Sequence, residues 1–160
     1  MIRIVQDGNP VLRACAQAVP LKDISSAKIQ KIISDMKKAM ESQKDGVAIA
    51  APQIGVPLRI FIVSDIIMKE ADAEYKSIGR DLVFINPEIT RLSRGKHEVE
   101  EGCLSVRWKY GKVSRSIKAT VSGHNELGEK VVRGASGLLA QVFQHETDHL
   151  NGLTIKDRVS

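Results

Sequence analysis

Gln144-His145-Glu146-Thr147-Asp148-His149 lies within the last long segment of this 160-residue chain that has helical apolar spacing. That spacing predicts a helix over about 136–150. Residues four positions apart on a helix share one face, so His145 and His149 can hold one metal ion between them. Glu146 would lie beside that ion as a group that transfers protons.

A third ligand is needed, because a catalytic ion usually has three protein ligands and one open position. Asp157 is the only downstream residue of a suitable type. We therefore expect the third ligand upstream, where the candidates are His97, His124, Glu100, Glu101 and Cys103. A cysteine thiolate is a strong ligand for borderline-soft divalent ions, and Gly102 lets the backbone approach an ion closely. The other cysteine, Cys15, is interpreted as a small buried side chain.

The remaining segments predict an α+β fold. Ser25 or Ser26 can cap a first helix that runs to about Glu41, with apolar residues every three or four positions. Strand-like segments are predicted at 2–5, 58–63, 82–85, 88–92, 97–101, 116–122 and 130–133. We expect antiparallel sheets packed around the C-terminal metal-binding helix, with one further N-terminal helix. The length fits a single domain over 1–160.

Composition excludes several functional classes. Hydrophobic residues make up 42% and charged residues 27%, and no apolar run is long enough to cross a bilayer. The N-terminus lacks a basic start followed by an apolar block, so we expect a cytoplasmic protein without membrane association. Lys and Arg number 24 against 19 Asp and Glu, which gives a net charge of +5. These charges are scattered, which indicates a solvated surface and no specific nucleic-acid partner.

Three segments together resemble the signature motifs of the peptide deformylase family, in the same order. They are GVAIAAPQ at 46–53, EGCLS at 101–105 and QHETDH at 144–149. Residues 7–13 and Asn86-Pro87 also fit the family pattern, so the resemblance covers nearly the whole chain. It implies a hydrolase of linear formamides that removes the N-formyl group from nascent peptides starting with formyl-methionine. It also implies a divalent ion, natively Fe(II) with zinc, nickel or cobalt as substitutes, held by Cys103, His145 and His149.

The resemblance also implies roles for other residues. Hydroxide generated at the ion attacks the formyl carbon, and Glu146 moves the proton from the water to the leaving amine. The backbone N–H of Leu104 and the side-chain amide of Gln53 stabilise the oxyanion. Residues expected to contact the substrate are Val47, Ala48, Glu101, Gly102, Leu138 and Val142. Ala48 stands where the family usually has glycine, so we expect its methyl group to weaken the binding of some formyl-peptides.

Two other functions remain open from the sequence. One is a metallopeptidase of another class, in which a downstream carboxylate would replace Cys103 as the third ligand. The other is a non-catalytic deformylase-like protein that binds formylated peptides. The expected partners are N-formyl-methionyl nascent peptides. Attraction to the ribosome should be weak, because residues 153–160 offer only Lys156 and Arg158 to phosphates.

Overall fold

A five-stranded antiparallel sheet forms the centre of the fold. The computed structural model describes residues 2–71 and 74–159. The strands are β1 (Ala48–Ala50), β2 (Ile60–Val63), β3 (Leu82–Leu92), β4 (Lys96–Cys103), β5 (Val106–Ser116), β6 (Lys118–His124) and β7 (Lys130–Ser136). The central sheet has the order β1-β2-β3-β6-β7, and β4 pairs with β5 as a separate two-stranded sheet.

Helices cover the central sheet on both faces. They are α1 (Ala27–Glu41), α2 (Asp65–Ala71), α3 (Gly137–Leu150) and α4 (Ile155–Arg158), with short 3₁₀ turns at Pro10–Arg13, Leu21–Asp23 and Ala51–Ile54. Ser26 caps α1, because its side chain accepts a hydrogen bond from the N–H of Ile29 at 3.3 Å. Gly152 follows α3 with a φ of 79°, the left-handed conformation that ends many helices. None of the helices in the described part of the chain is long and apolar enough to span a membrane.

The core has two layers because side chains alternate across the central strands. Phe61 and Phe84 point to the face that α3 covers, and their rings lie 4.9 Å apart, with Phe143 of α3 5.4 Å from Phe84. Ile60 and Ile62 point to the opposite face, which the apolar side of α1 covers. The sheet is therefore enclosed between α1 and α3, and α3 is fixed firmly by its apolar face.

The α+β class with antiparallel sheets, a C-terminal helix and one further N-terminal helix is confirmed, whereas several predicted boundaries are wrong. The two strands predicted at 82–85 and 88–92 are one strand, β3, whose register shifts between Ile85 and Glu88. Asn86 permits this irregularity, because it adopts a φ of 51° and its amide bonds the backbone N–H and C=O of Val19 at 2.7 and 2.8 Å.

The N-terminal strand predicted at 2–5 is not a strand. This segment is extended, but its recorded backbone bonds go to turns, including one from the N–H of Val5 to the C=O of Gln53 at 2.7 Å. The interpretation of Cys15 as a buried side chain is also wrong. Cys15 is exposed and lies 3.8 Å from a guanidinium nitrogen of Arg59.

Candidate metal centre

A thiol and two imidazoles converge between α3 and the β4–β5 hairpin. Their ligand atoms, from Cys103, His145 and His149, all lie within 4.8 Å of one another. The two imidazoles share a face of α3 and their ring centroids are 4.9 Å apart. The sulfur of Cys103 lies 3.2 Å from Nε2 of His149. The predicted pair on the helix and one of the five upstream candidates therefore meet at one point.

The turn of the β4–β5 hairpin places the thiol. The strand register shifts between Gly102 and Cys103, so that Cys103 pairs with Val106 across a tight turn. The backbone N–H of Ser105 donates a hydrogen bond to the sulfur at 3.4 Å, which helps to fix the position of the thiol. A side chain at position 102 would collide with the ring of Tyr110. The ring of Tyr110 is exposed, so a side chain at position 102 would require that ring to move.

Glu101 fixes the orientation of His145. Its Oε1 is 2.6 Å from Nδ1 of His145, which leaves Nε2 of that ring for the ligand position. Both oxygens of Glu101 also accept hydrogen bonds from Arg115, at 2.6 and 2.9 Å. Arg115 donates a further bond to Asp148 at 2.7 Å. Contact of Glu101 with substrate stays a prediction, since Glu101 lines the cavity while its carboxylate binds His145 and Arg115.

Burial and charge shift the pKa values of the two acidic residues in opposite directions. Burial alone would raise the pKa of Glu101, but hydrogen bonds from Arg115 and His145 outweigh it and lower that pKa to about 2. Glu146 has no such donors, and burial together with the charge of Glu101 raises its pKa to about 7. Glu101 is thus a permanent anion, whereas Glu146 can exchange a proton near neutral pH.

Gln53 is the only residue of the 46–53 segment whose side chain reaches the thiol in the recorded contacts. Its Oε1 accepts a hydrogen bond from the N–H of Ala50 at 2.9 Å, which turns Nε2 toward Ser105 Oγ at 3.2 Å and the sulfur of Cys103 at 3.7 Å. The side chain is 1% exposed. A buried amide held in this way is a preorganised hydrogen-bond donor.

A cavity of about 250 Å³ opens onto this group. The predicted site residues that line it are Val47, Ala48, Gln53, Glu101, Gly102, Cys103, Leu104, Leu138, Val142, His145 and Glu146. His149 lies behind them and is 1% exposed. Sequence reasoning missed three lining residues, which are Asp45, Tyr110 and Gln141, and it considered Glu100 only as a possible third ligand. Gln141 could have been found, because it lies four residues before His145 on the same helix face.

The donor set fits a divalent metal ion. One thiol and two imidazoles suit borderline-soft ions such as zinc and iron, and three protein ligands leave one position open. Oε2 of Glu146 is buried and has no hydrogen-bond partner among residues 2–71 and 74–159, as expected of a group that works on a small molecule bound beside the ion. Asp157, the only downstream alternative, accepts hydrogen bonds from Arg13 and from the N–H of Thr154. A metallopeptidase-type ligand set is therefore not favoured.

Fold and site together define an α+β protein with a Cys/His/His metal-binding group at the base of a cavity. A family model described as polypeptide deformylase matches residues 1–160. This chain belongs to that family, which confirms the resemblance seen in the sequence.

Known relatives agree along the whole chain. A peptide deformylase of Halothermothrix orenii is 42% identical over 160 residues, which cover 99% of this chain and 94% of the relative. The chloroplastic peptide deformylase 1A of Solanum lycopersicum is 38% identical over 98% of this chain, but the chain spans only 59% of that relative. The Met-Ala-Ser-bound crystal structure of class I type b peptide deformylase from Acinetobacter baumannii superposes with a TM-score of 0.86 at 30% identity, covering 99% of this chain and 98% of the other.

Proposed function

We propose that this chain is a peptide deformylase that hydrolyses the N-formyl group from the N-terminal formyl-methionine of newly made peptides. The observation that carries the proposal is the convergence of Cys103, His145 and His149 at the base of a cavity, with Glu146 on the same helix as the two histidines. Membership of the deformylase family supports the reaction type, and the Acinetobacter relative was crystallised with Met-Ala-Ser. That tripeptide has the sequence of a deformylated product.

We assign the three converging side chains as the metal ligands and Fe(II) as the native ion, with zinc, nickel or cobalt as substitutes. The donor atoms suit each of these ions, and the preference for iron rests on the family. When bound, the ion supplies Lewis acidity that polarises the formyl carbonyl. Glu101 keeps His145 in the tautomer with a free Nε2, because Nδ1–H donates to its carboxylate.

Glu146 moves the proton in this proposal. Its carboxylate is buried, its Oε1 lies 3.9 Å from Nε2 of His145, and a pKa of about 7 allows it both to accept and to donate a proton near neutral pH. It takes a proton from the attacking water and delivers it to the amine that leaves. Its neighbour Glu101 cannot do this, because its pKa lies near 2.

Two donors would stabilise the oxyanion that forms at the formyl group. Gln53 Nε2 is held beside the sulfur of Cys103 by the bond between Gln53 Oε1 and the N–H of Ala50. The N–H of Leu104 follows the thiol directly in the hairpin turn, and Leu104 lines the cavity. Removal of one such donor typically costs about 3 kcal/mol of transition-state stabilisation.

Four apolar residues form the proposed pocket for the methionine side chain. Leu138 and Val142 come from α3, one turn apart, whereas Val47 directly precedes β1 and Ala48 is the first residue of β1. Because α3 also carries two of the ligands, the same helix fixes both the apolar contact and the reacting centre.

Formate release from formyl-Met-Ala-Ser by anaerobically purified protein tests the proposed function. We expect turnover that follows iron content and is abolished by metal removal. Unblocked Met-Ala-Ser is the matched control, because cleavage of its internal bonds would indicate the metallopeptidase alternative. The proposed reaction would be overturned in favour of the non-catalytic alternative if the protein bound the formylated peptide but released no formate when loaded with each of the four metals in turn.

We further propose that the protein works in the cytoplasm and associates only weakly with ribosomes. Lys156 already pairs with Asp7 at 2.7 Å, and Arg158 with Asp148 at 3.0 Å, so both cations of the C-terminal segment are partly neutralised. Sedimentation with ribosomes over a salt series should show binding that disappears as salt rises. Association that survives high salt would contradict this.

A further inference from the structure

A continuous chain of ion pairs leads from α4 to the metal centre. Arg158 of α4 donates two hydrogen bonds to Asp148, from Nε at 3.1 Å and from Nη2 at 3.0 Å. Asp148 also accepts a bond from Arg115, and Arg115 binds Glu101 through two nitrogens. Glu101 in turn holds Nδ1 of His145. At one end of this series of ion pairs, Arg158 is 45% exposed. At the other end lies the imidazole of His145.

The charges in this chain balance only when Arg158 is included. Glu101 and Asp148 contribute two negative charges, and the side chains of Arg115 and Glu101 are only 4% and 5% exposed. Without Arg158, the single guanidinium of Arg115 would have to serve both carboxylates, and Asp148 is only 12% exposed to water. Asp148 would lose two of its three side-chain donors and compete with Glu101 for Arg115.

We infer that Arg158 is a positioning residue for the metal centre. The planar guanidinium of Arg158 donates two hydrogen bonds to Asp148. Arg115 therefore keeps its hydrogen bonds to both oxygens of Glu101. Glu101 then holds the ring of His145 in one orientation. The inference rests on the proposed metal site, and it gives the four-residue helix α4 a role in the centre although α4 carries none of the three ligand atoms.

The position of α4 does not depend on Arg158 alone. Ile155 is 1% exposed. Two hydrogen bonds cap the helix: the N–H of Thr154 donates to the carboxylate of Asp157 at 2.8 Å, and the hydroxyl of Thr154 accepts from the N–H of Lys156 at 3.3 Å. Lys156 pairs with Asp7 on the far side from Asp148. Substitution of Arg158 should therefore leave α4 in place, so that its effect on the metal can be separated from an effect on folding.

Loss of zinc to a coloured chelator tests the inference with protein loaded with zinc alone. Groups that orient a metal ligand typically change metal affinity by 10- to 100-fold, and Arg158 is three ion pairs away from Glu101, the group in that position. We expect Arg158→Gln to release zinc about tenfold faster than the wild type. Lys156→Gln, which removes a cation from the same helix without touching Asp148, should release zinc at the wild-type rate. Arg158→Lys should release zinc at an intermediate rate, since lysine keeps the positive charge but lacks the planar guanidinium that binds both oxygens of Asp148.

A double substitution distinguishes positioning through Asp148 from a general effect. If Arg158 acts through Asp148, adding Arg158→Gln to Asp148→Asn should not increase the zinc-release rate further. Unchanged release in Arg158→Gln, equal acceleration in Lys156→Gln, or full additivity with Asp148→Asn would each overturn the inference. These rates need no substrate, so failure of formyl-peptide hydrolysis would count against the proposed function alone.

Discussion

Two cavities of this protein differ in size and in chemistry, and the smaller of the two holds the proposed site. A cleft of about 470 Å³ lies along β7 and the segment before β3, where Arg80 pairs with Glu126 at 2.8 Å and Arg133 stacks on the ring of Tyr75. Arg80 is 43% exposed, so water weakens its ion pair. The metal cavity has about half the volume, but Glu101 beside it is only 5% exposed.

The difference shows that desolvated charge, and not volume, distinguishes the functional cavity. At the metal centre one carboxylate has a pKa of about 2 and its neighbour a pKa of about 7, because one has charged donors and the other does not. Functional sites commonly hold such strongly perturbed pairs.

Removal of the Cys103 thiol should have the largest effect on metal content and activity. A small effect would contradict the distinction drawn between the two cavities. We expect Cys103→Ala to lose stoichiometric metal and activity together, because two imidazoles alone make a weak site. Metal analysis and formate release measure this. Cys15→Ala is the matched control and should change neither, since Cys15 lies outside the centre. Full metal content in Cys103→Ala would reject the ligand assignment.

Glu146→Gln should retain the ion but lose most of the turnover. The amide keeps the shape of the side chain and cannot accept the proton, and general acid–base catalysis contributes about 10²–10⁴-fold. The measurement is kcat at matched metal content. A rate near that of the wild type would mean that another group moves the proton.

The same substitution should stabilise the metal-free protein at neutral pH. The pKa of Glu146 rises from 4.5 unfolded to about 7 folded, so the folded state binds the extra proton between these values and its stability falls as pH rises through them. The cost of ionising Glu146 in the fold is at most about 3 kcal/mol above pH 7. Chemical denaturation of both metal-free proteins should show Glu146→Gln more stable at pH 8 and the difference shrinking toward pH 5. A constant difference would indicate that Glu146 titrates normally.

Ala48→Gly should have a smaller effect, on the KM for substrate. The size of that effect shows how close the Ala48 methyl group lies to the bound peptide. Ala48 lines the cavity and is 6% exposed, so removing its methyl group gives the substrate room. We expect a KM a few-fold lower for formyl-Met-Ala-Ser, with a stability cost of about 0.5–1 kcal/mol for glycine within a strand. An unchanged KM would place the methyl group away from the substrate.

Arg80→Gln in the large cleft should have the smallest effect. An exposed ion pair contributes about 0–1 kcal/mol, so the free energy of unfolding should change by that amount at most. Formate release should be unchanged. A substantial loss of activity would show that the large cleft takes part in the reaction and would contradict the distinction drawn between the cavities.

Local sequence signals predicted the two long helices because capping and apolar spacing act within a few residues. Ser26 at the start of α1 and the 145–149 spacing on α3 are examples. Other features depend on pairing between distant segments and had no local signal. The contact of Glu101 with Arg115 requires the register of the β4–β5 hairpin, and the contact of Asp148 with Arg158 requires the packing of α4. Asn86-Pro87 indicated a strand end, but a bulge allowed β3 to continue through it.

The placement of the ligands on separate segments has a consequence for the durability of the protein. Cys103 and His149 are 46 residues apart in sequence, and an ion bound by both as proposed would join them into a closed loop that contains β5, β6 and β7. A cross-link over a loop of that length removes about 4 kcal/mol of chain entropy from partly opened states, by analogy with a disulfide. A bound ion would therefore act as a removable cross-link. Limited proteolysis should cut the β4–β5 hairpin faster after chelation than in the zinc-loaded protein, so that metal supply sets the lifetime of the folded chain as well as its chemistry.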